Sequence, residues 1–359
     1  MMTKKVLILT SLVVVILLTG GLSVVFAAPS AQGDGTPEGF AVIAQPGNQF
    51  HPQVAYNSTE DEYLMVWSNG GDIFAQRLSN EGAANPPVLT ITTARGRQDW
   101  PAVAYDPDMD RYLIVWDDDR NAAFTGHDLF GRLFEHSGAS VGPEFPVLTL
   151  PASQRQPRLT FNPDRNEFLL VWSDSRNAIA TGNDIFGQLL REAGTPRGGS
   201  FSVSTAPADQ TDPAVAYSSR TSDYLVFWSD NRDPESKNMF GQRVAPPNRI
   251  GAEIGSMVDN ASNQFAPSLS FDDGRGEYLI VWCDDRGGPE TFIDLVGRLL
   301  SPGGSPSAEN FAFVSTTGDQ ASSGIAYDPG EGRHLAVWGD NRNLLTEGWD
   351  IFGVFWPFK

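Results

Sequence analysis

Cysteine occurs once in the 359 residues, at Cys283, so no intramolecular disulfide can form. A chain without such staples must draw its stability from a large core, which this length allows. Cys283 stands where sister segments carry Ser68, Asp117, Ser173, Ser229 and Gly339, a pattern of drift rather than of a nucleophile. Histidine is nearly as scarce: His51, His127, His136 and His334 show no His-x-x-x-His spacing, and one cysteine excludes a zinc cluster. There is no G-x-S-x-G elbow, no phosphate-cradling glycine loop and no Ser-x-Asp-x-Gly-x-x-Trp box. No Asp-rich loop follows the EF-hand order, so no metal and no cofactor is assigned, with calcium on clustered aspartates left open. Helix signals are almost absent, and no long run of like charge exists.

The net charge is −19, and residues 1–27 contain two lysines and no acids. Without them the chain has 23 basic and 44 acidic residues, 23 − 44 = −21. A dispersed acidic surface repels nucleic acid and anionic lipid and keeps an exported protein in solution. Lys4 and Lys5 precede an apolar run that ends in Val25-Phe26-Ala27, the layout of a secretory signal. An uncleaved anchor is the alternative, since the run approaches the ~20 residues that span a bilayer, but Gly20 and Gly21 interrupt it. We therefore expect a signal peptide over 1–27, a linker over 28–38 and one domain over 39–359. The protein is expected outside the cell or on its surface (the periplasm in a two-membrane cell), monomeric and not inserted in a membrane.

What the chain has in abundance is repetition. Trp67, Trp116, Trp172, Trp228, Trp282 and Trp338 fall 49, 56, 56, 54 and 56 residues apart, each inside the same pattern. YLIVWDDDRNAAFTGHDLFGRL (112–133) aligns with FLLVWSDSRNAIATGNDIFGQL (168–189); 278–299 and 334–355 follow the same pattern, 224–244 is slightly shortened and 63–78 is shortened most. Such periods mark a repeat architecture. Four strands fit each period: a Gln-x-x-Pro strand such as 98–105, the strand ending in tryptophan, a DIFGQ-like strand, and a fourth such as 144–150 or 200–206. In Tyr112-Leu113-Ile114-Val115-Trp116 both faces are apolar, so the sheet needs neighbours on both sides. Radially stacked blades meet that need. The fold class is all-β: a six-bladed β-propeller of four-stranded blades. The last repeat stops after its third strand (350–357), while GFAVIAQ (39–45) has the fourth-strand pattern of 309–316. The N-terminal strand is therefore expected to complete the sixth blade and close the ring.

These pieces (Pro101, Asp106-Pro107-Asp108, Val115-Trp116, Asp118-x-Arg120 and Asp128-Leu129-Phe130) resemble the six-bladed repeats of TolB and its relatives over about residues 39–359. The resemblance implies the same ring. The chain departs from it in preferring Trp and Phe to Phe and Tyr and in its longer hairpins, and no TolB-like N-terminal domain is seen. Secreted bacterial propellers look like nearer kin than TolB itself.

The repeated Asp-x-Arg pairs are Asp118/Arg120, Asp174/Arg176, Asp230/Arg232, Asp284/Arg286 and Asp340/Arg342. Their recurrence reads as blade architecture, with charge-assisted bonds fixing each hairpin. Function is sought where the repeats differ, on the face shared by the loops before the first strands and between the second and third. That face carries His51, Trp100, Arg155, Asp212 and Phe265 ahead of the inner strands, with Phe124, His127, Phe292 and Trp349 on the hairpins. Aromatic tips beside acids and amides suit a sugar ring or a partner's surface. The reading adopted at this point is a non-catalytic binding or scaffolding propeller for a glycan, envelope polymer or protein. Two alternatives stand beside it: a carbohydrate-active hydrolase or lyase with carboxylates at the axis, and a lectin with one site per blade.

Overall fold

The computed structural model describes residues 38–43, 47–257, 262–286, 293–343 and 348–357. The expected signal peptide, linker residues 28–37 and Phe292 lie outside them.

Six four-stranded antiparallel sheets follow one another along the chain, with no helix among the described residues. In blade 2 the strands are Gln98–Asp106, Arg111–Asp118, Asp128–Glu135 and Phe145–Leu148, in that spatial order. The ring closes as the sequence predicts. Phe40–Ile43 pairs antiparallel with Asp350–Trp356, Phe40 opposite Gly353 and Ala41 opposite Phe352, so both chain ends share one sheet. Fourth strands are the least regular element, and the stretch around 144–150 contracts to Phe145–Leu148.

The two apolar faces of each second strand explain the radial packing. Tyr112, Ile114 and Trp116 pack on Leu64, Val66 and Ile73 of blade 1. Leu113 and Val115 point the other way, onto Phe168, Leu170 and Trp172 of blade 3. The core is therefore six inter-blade clusters, and the six repeat tryptophans are at most 1% exposed. A buried aromatic of this size is worth about 3 kcal/mol or more against truncation.

In blades 2 to 6 the hairpin base is locked by the Asp-x-Arg pair. In blade 3 the buried Asp174 accepts from Trp172 Nε1 at 2.7 Å and from Arg176 backbone N at 2.8 Å, Nε at 2.8 Å and Nη2 at 2.6 Å. The guanidinium lies 4.0 Å from the centre of the Phe186 ring. Blades 2, 4 and 6 repeat this stack with Phe130, Phe240 and Phe352, and Asp284/Arg286 repeats the ion pair in blade 5.

The six glutamines join blade to blade. The backbone N–H of Gln49, Gln98, Gln154, Gln210, Gln264 and Gln320 donates, each at 2.8 Å, to the preceding blade's hairpin carbonyl: Trp349, Gly71, His127, Asn183, Lys237 and Ile293. The loops before the inner strands and the hairpins of the neighbouring blades thus meet on one face of the ring.

Candidate functional site

Two residues after each of these glutamines the inner strand turns left-handed. His51, Trp100, Gln156, Asp212, Ala266 and Ser322 have φ of 53°, 50°, 55°, 49°, 50° and 51°. All six carry a Cβ, for which this conformation costs about 1–2 kcal/mol each. The ladder to the second strand shifts register at the same place in every blade. Bulges of this kind re-aim side chains. The backbone shape is common to the six blades; the side chains on it are not.

Those side chains meet around the mouth of the axis. The His51 ring stacks on Trp100, with centroids 3.5 Å apart and 17° between the planes. His51 Nδ1 lies 2.8 Å from Asp99 Oδ1, which also accepts from Ser68 Oγ at 2.6 Å and the Trp100 backbone N–H at 3.0 Å. Arg97 donates to the other carboxylate oxygen at 2.6 Å. Burial acts to raise the Asp99 pKa, but the hydrogen bond and charge of His51, the Ser68 hydroxyl and the Trp100 amide outweigh it. The carboxyl is held well below the usual range. An ionised Asp99 accepts only, so His51 Nδ1 is the donor of the bond between them.

Across the mouth, Gln156 Nε2 donates to Asp212 Oδ1 at 2.5 Å, and the Asp212 backbone N–H donates to Gln156 Oε1 at 3.0 Å. Thr211 Oγ1 donates to Asp212 Oδ2 at 3.0 Å, and Lys237 Nζ stands 4.0 Å from the same oxygen. Beside them a cavity of about 130 Å³ is lined by Ser153, Arg155, Gln156, Ser173, Asn183 and Thr211. The cross-strand partner of Asp99 is Asp117, wholly buried, with Arg155 Nε and His127 Nδ1 each 3.5 Å from one of its oxygens. The two carboxyls serve opposite neighbours: Asp99 contacts blade 1, and Asp117 contacts blade 3 and its own hairpin. A polar floor closes the axis below, where Gln53 Nε2 and Ser268 Oγ donate to the Ser323 carbonyl.

Of the residues expected on this face, His51, Trp100 and Asp212 sit on the bulges, and Arg155 and His127 join them through Asp117. Trp349 reaches the group through Phe50, at 6.0 Å between ring centres, and Phe50 is 6.0 Å from His51. Phe265 packs instead in the core between blades 5 and 6. Phe124 is 91% exposed on its hairpin tip, away from this cluster. Sequence reasoning missed Asp99, Asp117 and Gln156. Their signal was available, since in each case the other five blades carry other residues at that position. Among the described residues no group of three or more His, Cys, Asp or Glu is placed to hold a metal ion.

No family model matches the chain and no curated protein matches it. Solved structures do. A protein of unknown function from Dyadobacter fermentans superposes with a TM-score of 0.68 at 12% identity, covering 89% of this chain and 98% of that one. An α-L-arabinofuranosidase from Fusarium graminearum, solved with an iminosugar inhibitor, gives 0.64 at 9% identity over 89% and 98%. The α-L-arabinanase of Penicillium chrysogenum, solved with arabinobiose, gives 0.61 at 12% identity over 90% and 98%.

At this identity the likeness is one of fold. It supports the resemblance expected from the repeats only at the level of a six-bladed propeller, since two of these neighbours are glycosidases and none is named as TolB-like. The expectation of a non-catalytic binding module is corrected against these neighbours, two of which are carbohydrate-cleaving enzymes. The six bulges carry six different side chains, so they do not form one repeated set of ligand groups.

Proposed function

We propose that the bulged face of the axis is the active site of a glycoside hydrolase. The observation that carries the reading is the left-handed ring itself, which sets a stacked His51–Trp100 plate, the ionised Asp99 and the carboxyl of Asp212 around one mouth. An aromatic face binds the apolar side of a sugar ring. Hydrolysis of a glycosidic bond needs one group to protonate the leaving oxygen and another to activate water. His51, oriented by Asp99, takes the first role: its imidazolium gives the Nε2 proton to the leaving oxygen while Asp99 offsets the charge. Asp212, whose two oxygens accept from Gln156 and Thr211, is a carboxylate and takes the second, accepting the proton of the attacking water. The arabinan-cleaving neighbours make arabinan and arabino-oligosaccharides the first substrates to try.

The test is release of reducing ends from an arabinan, xylan and pectic panel by the protein and by Asp212→Asn and Asp99→Asn. General acid–base groups contribute about 10²–10⁴ in rate. Each variant should lose at least about a hundredfold in kcat while still binding the substrate and melting as the parent does. A parent inactive on every glycan, or variants within threefold of it, would sink the proposal.

A further inference from the structure

Arg158 lies on the inner strand two residues beyond Gln156, and it is only 6% exposed. Its Nε–H has no acceptor, and Nη1 donates to the carbonyl of the adjacent Pro157 at 3.0 Å. Among the described residues no carboxylate comes within ion-pair distance of it. By contrast, Arg120, Arg176, Arg232, Arg286 and Arg342 each hold an aspartate at 2.5–2.6 Å. The other blades place Gln53, Ala102, Ala214, Ser268 and Gly324 at this position, so the propeller does not require a cation here. An unpaired buried guanidinium is strongly unfavourable. Burial drags its pKa down to about 10, and Asp212, beyond ion-pair reach, only partly opposes this.

Its surroundings belong to the mouth already described. The guanidinium carbon is 5.8 Å from the centre of the Trp100 ring. The rim adds Arg155 and Lys237, and Lys237 is the only lysine between residues 6 and 358 of a chain with net charge −19. A local gathering of cations in an acidic protein, around a buried arginine whose Nε–H has no acceptor, selects for an anion. The aromatic plate beside it selects for a ring.

We infer that this mouth takes an acidic sugar, a uronic acid unit whose carboxylate is held by the guanidinium of Arg158 beside Trp100. This deepens the proposed function and rests on the carbohydrate reading of the same mouth. A planar carboxylate accepts two parallel N–H bonds from an arginine, and it would cancel a charge that the protein leaves unmatched.

The experiment compares calorimetric binding of trigalacturonate and its neutral match galactotriose to the full chain, to Arg158→Met and to Arg158→Lys. The parent should prefer trigalacturonate by at least about tenfold, as one charge-assisted pair provides. Arg158→Met should lose the preference while melting at or above the parent's temperature, and Arg158→Lys should keep part of it. Equal affinity of the parent for both sugars overturns the inference, as does an Arg158→Met variant weakened equally for both. Turnover of neutral glycans without any preference for the acid leaves the hydrolase standing and removes the subsite. A preference that depends on Arg158, in a chain that cleaves no glycan, supports the subsite and removes the hydrolase.

Discussion

Replacing His334 by phenylalanine should stabilise this protein and remove part of its acid sensitivity. The five equivalent positions are Tyr63, Tyr112, Phe168, Tyr224 and Tyr278, all buried. His334 is itself fully buried between Tyr327 and Trp356, with ring centres 5.0 and 5.6 Å away, and neither of its nitrogens has a hydrogen-bond partner. A buried N–H with no acceptor costs about 1–3 kcal/mol, and a phenyl ring has none to bury. Burial pushes the imidazole pKa down to about 4 from 6.5, with Asp272 opposing and Arg275 adding to the shift.

The unfolded chain therefore binds more protons than the folded one between those two values. The contribution is present in full above pH 6.5 and is lost as pH falls towards 4. A shift of this size corresponds to about 3 kcal/mol. Urea unfolding followed by tryptophan fluorescence should show His334→Phe more stable by about 1–3 kcal/mol at pH 7.5, with a margin that widens by about 3 kcal/mol by pH 4. Taking the difference cancels the groups common to both proteins. A variant less stable at pH 7.5, or a margin independent of pH, would refute the argument from burial.

The hairpin locks and the lone thiol are testable in the same way. Asp174→Ala strands the Trp172 N–H and the Arg176 guanidinium, and because Arg176 keeps 28% side-chain exposure the loss should be about 2–4 kcal/mol in urea unfolding. Adding Arg176→Ala should cost less than the sum of the single changes, and a loss under about 0.5 kcal/mol for Asp174→Ala would contradict the lock. Cys283 is fully buried, and burial pushes its thiol up to about 12. It should resist a disulfide reagent at pH 8 until the protein is unfolded, and rapid labelling of the native protein would show that blade 5 opens there.

The ring was legible because its determinants are local and repeated. A tryptophan every 49–56 residues, proline near the start of five of the six inner strands and two apolar faces on each second strand fix strand order without any long-range information. The closing strand was legible for the same reason: Phe40–Ile43 carries a fourth-strand pattern that the last repeat lacks. Repetition also shows which side chains build the ring: the Asp-x-Arg pairs fix hairpins within blades, and the glutamines join neighbouring blades. Asp99, Asp117 and Arg158 were not legible as a group. In sequence each is one variable residue in a separate repeat, and nothing local says that Asp99 meets His51 or that Arg158 is left without a carboxylate.

The chain by itself thus determined six blades, their strands and the closure, because hydrophobic alternation and turn residues act within a few positions of one another. Only the tertiary structure decided which of the variable residues share the axial mouth. The left-handed turn of each inner strand aims side chains across gaps of 48 and 56 residues, as from His51 to Asp99 and from Gln156 to Asp212. Whether a buried charge finds a partner is a property of the closed ring, not of any one repeat.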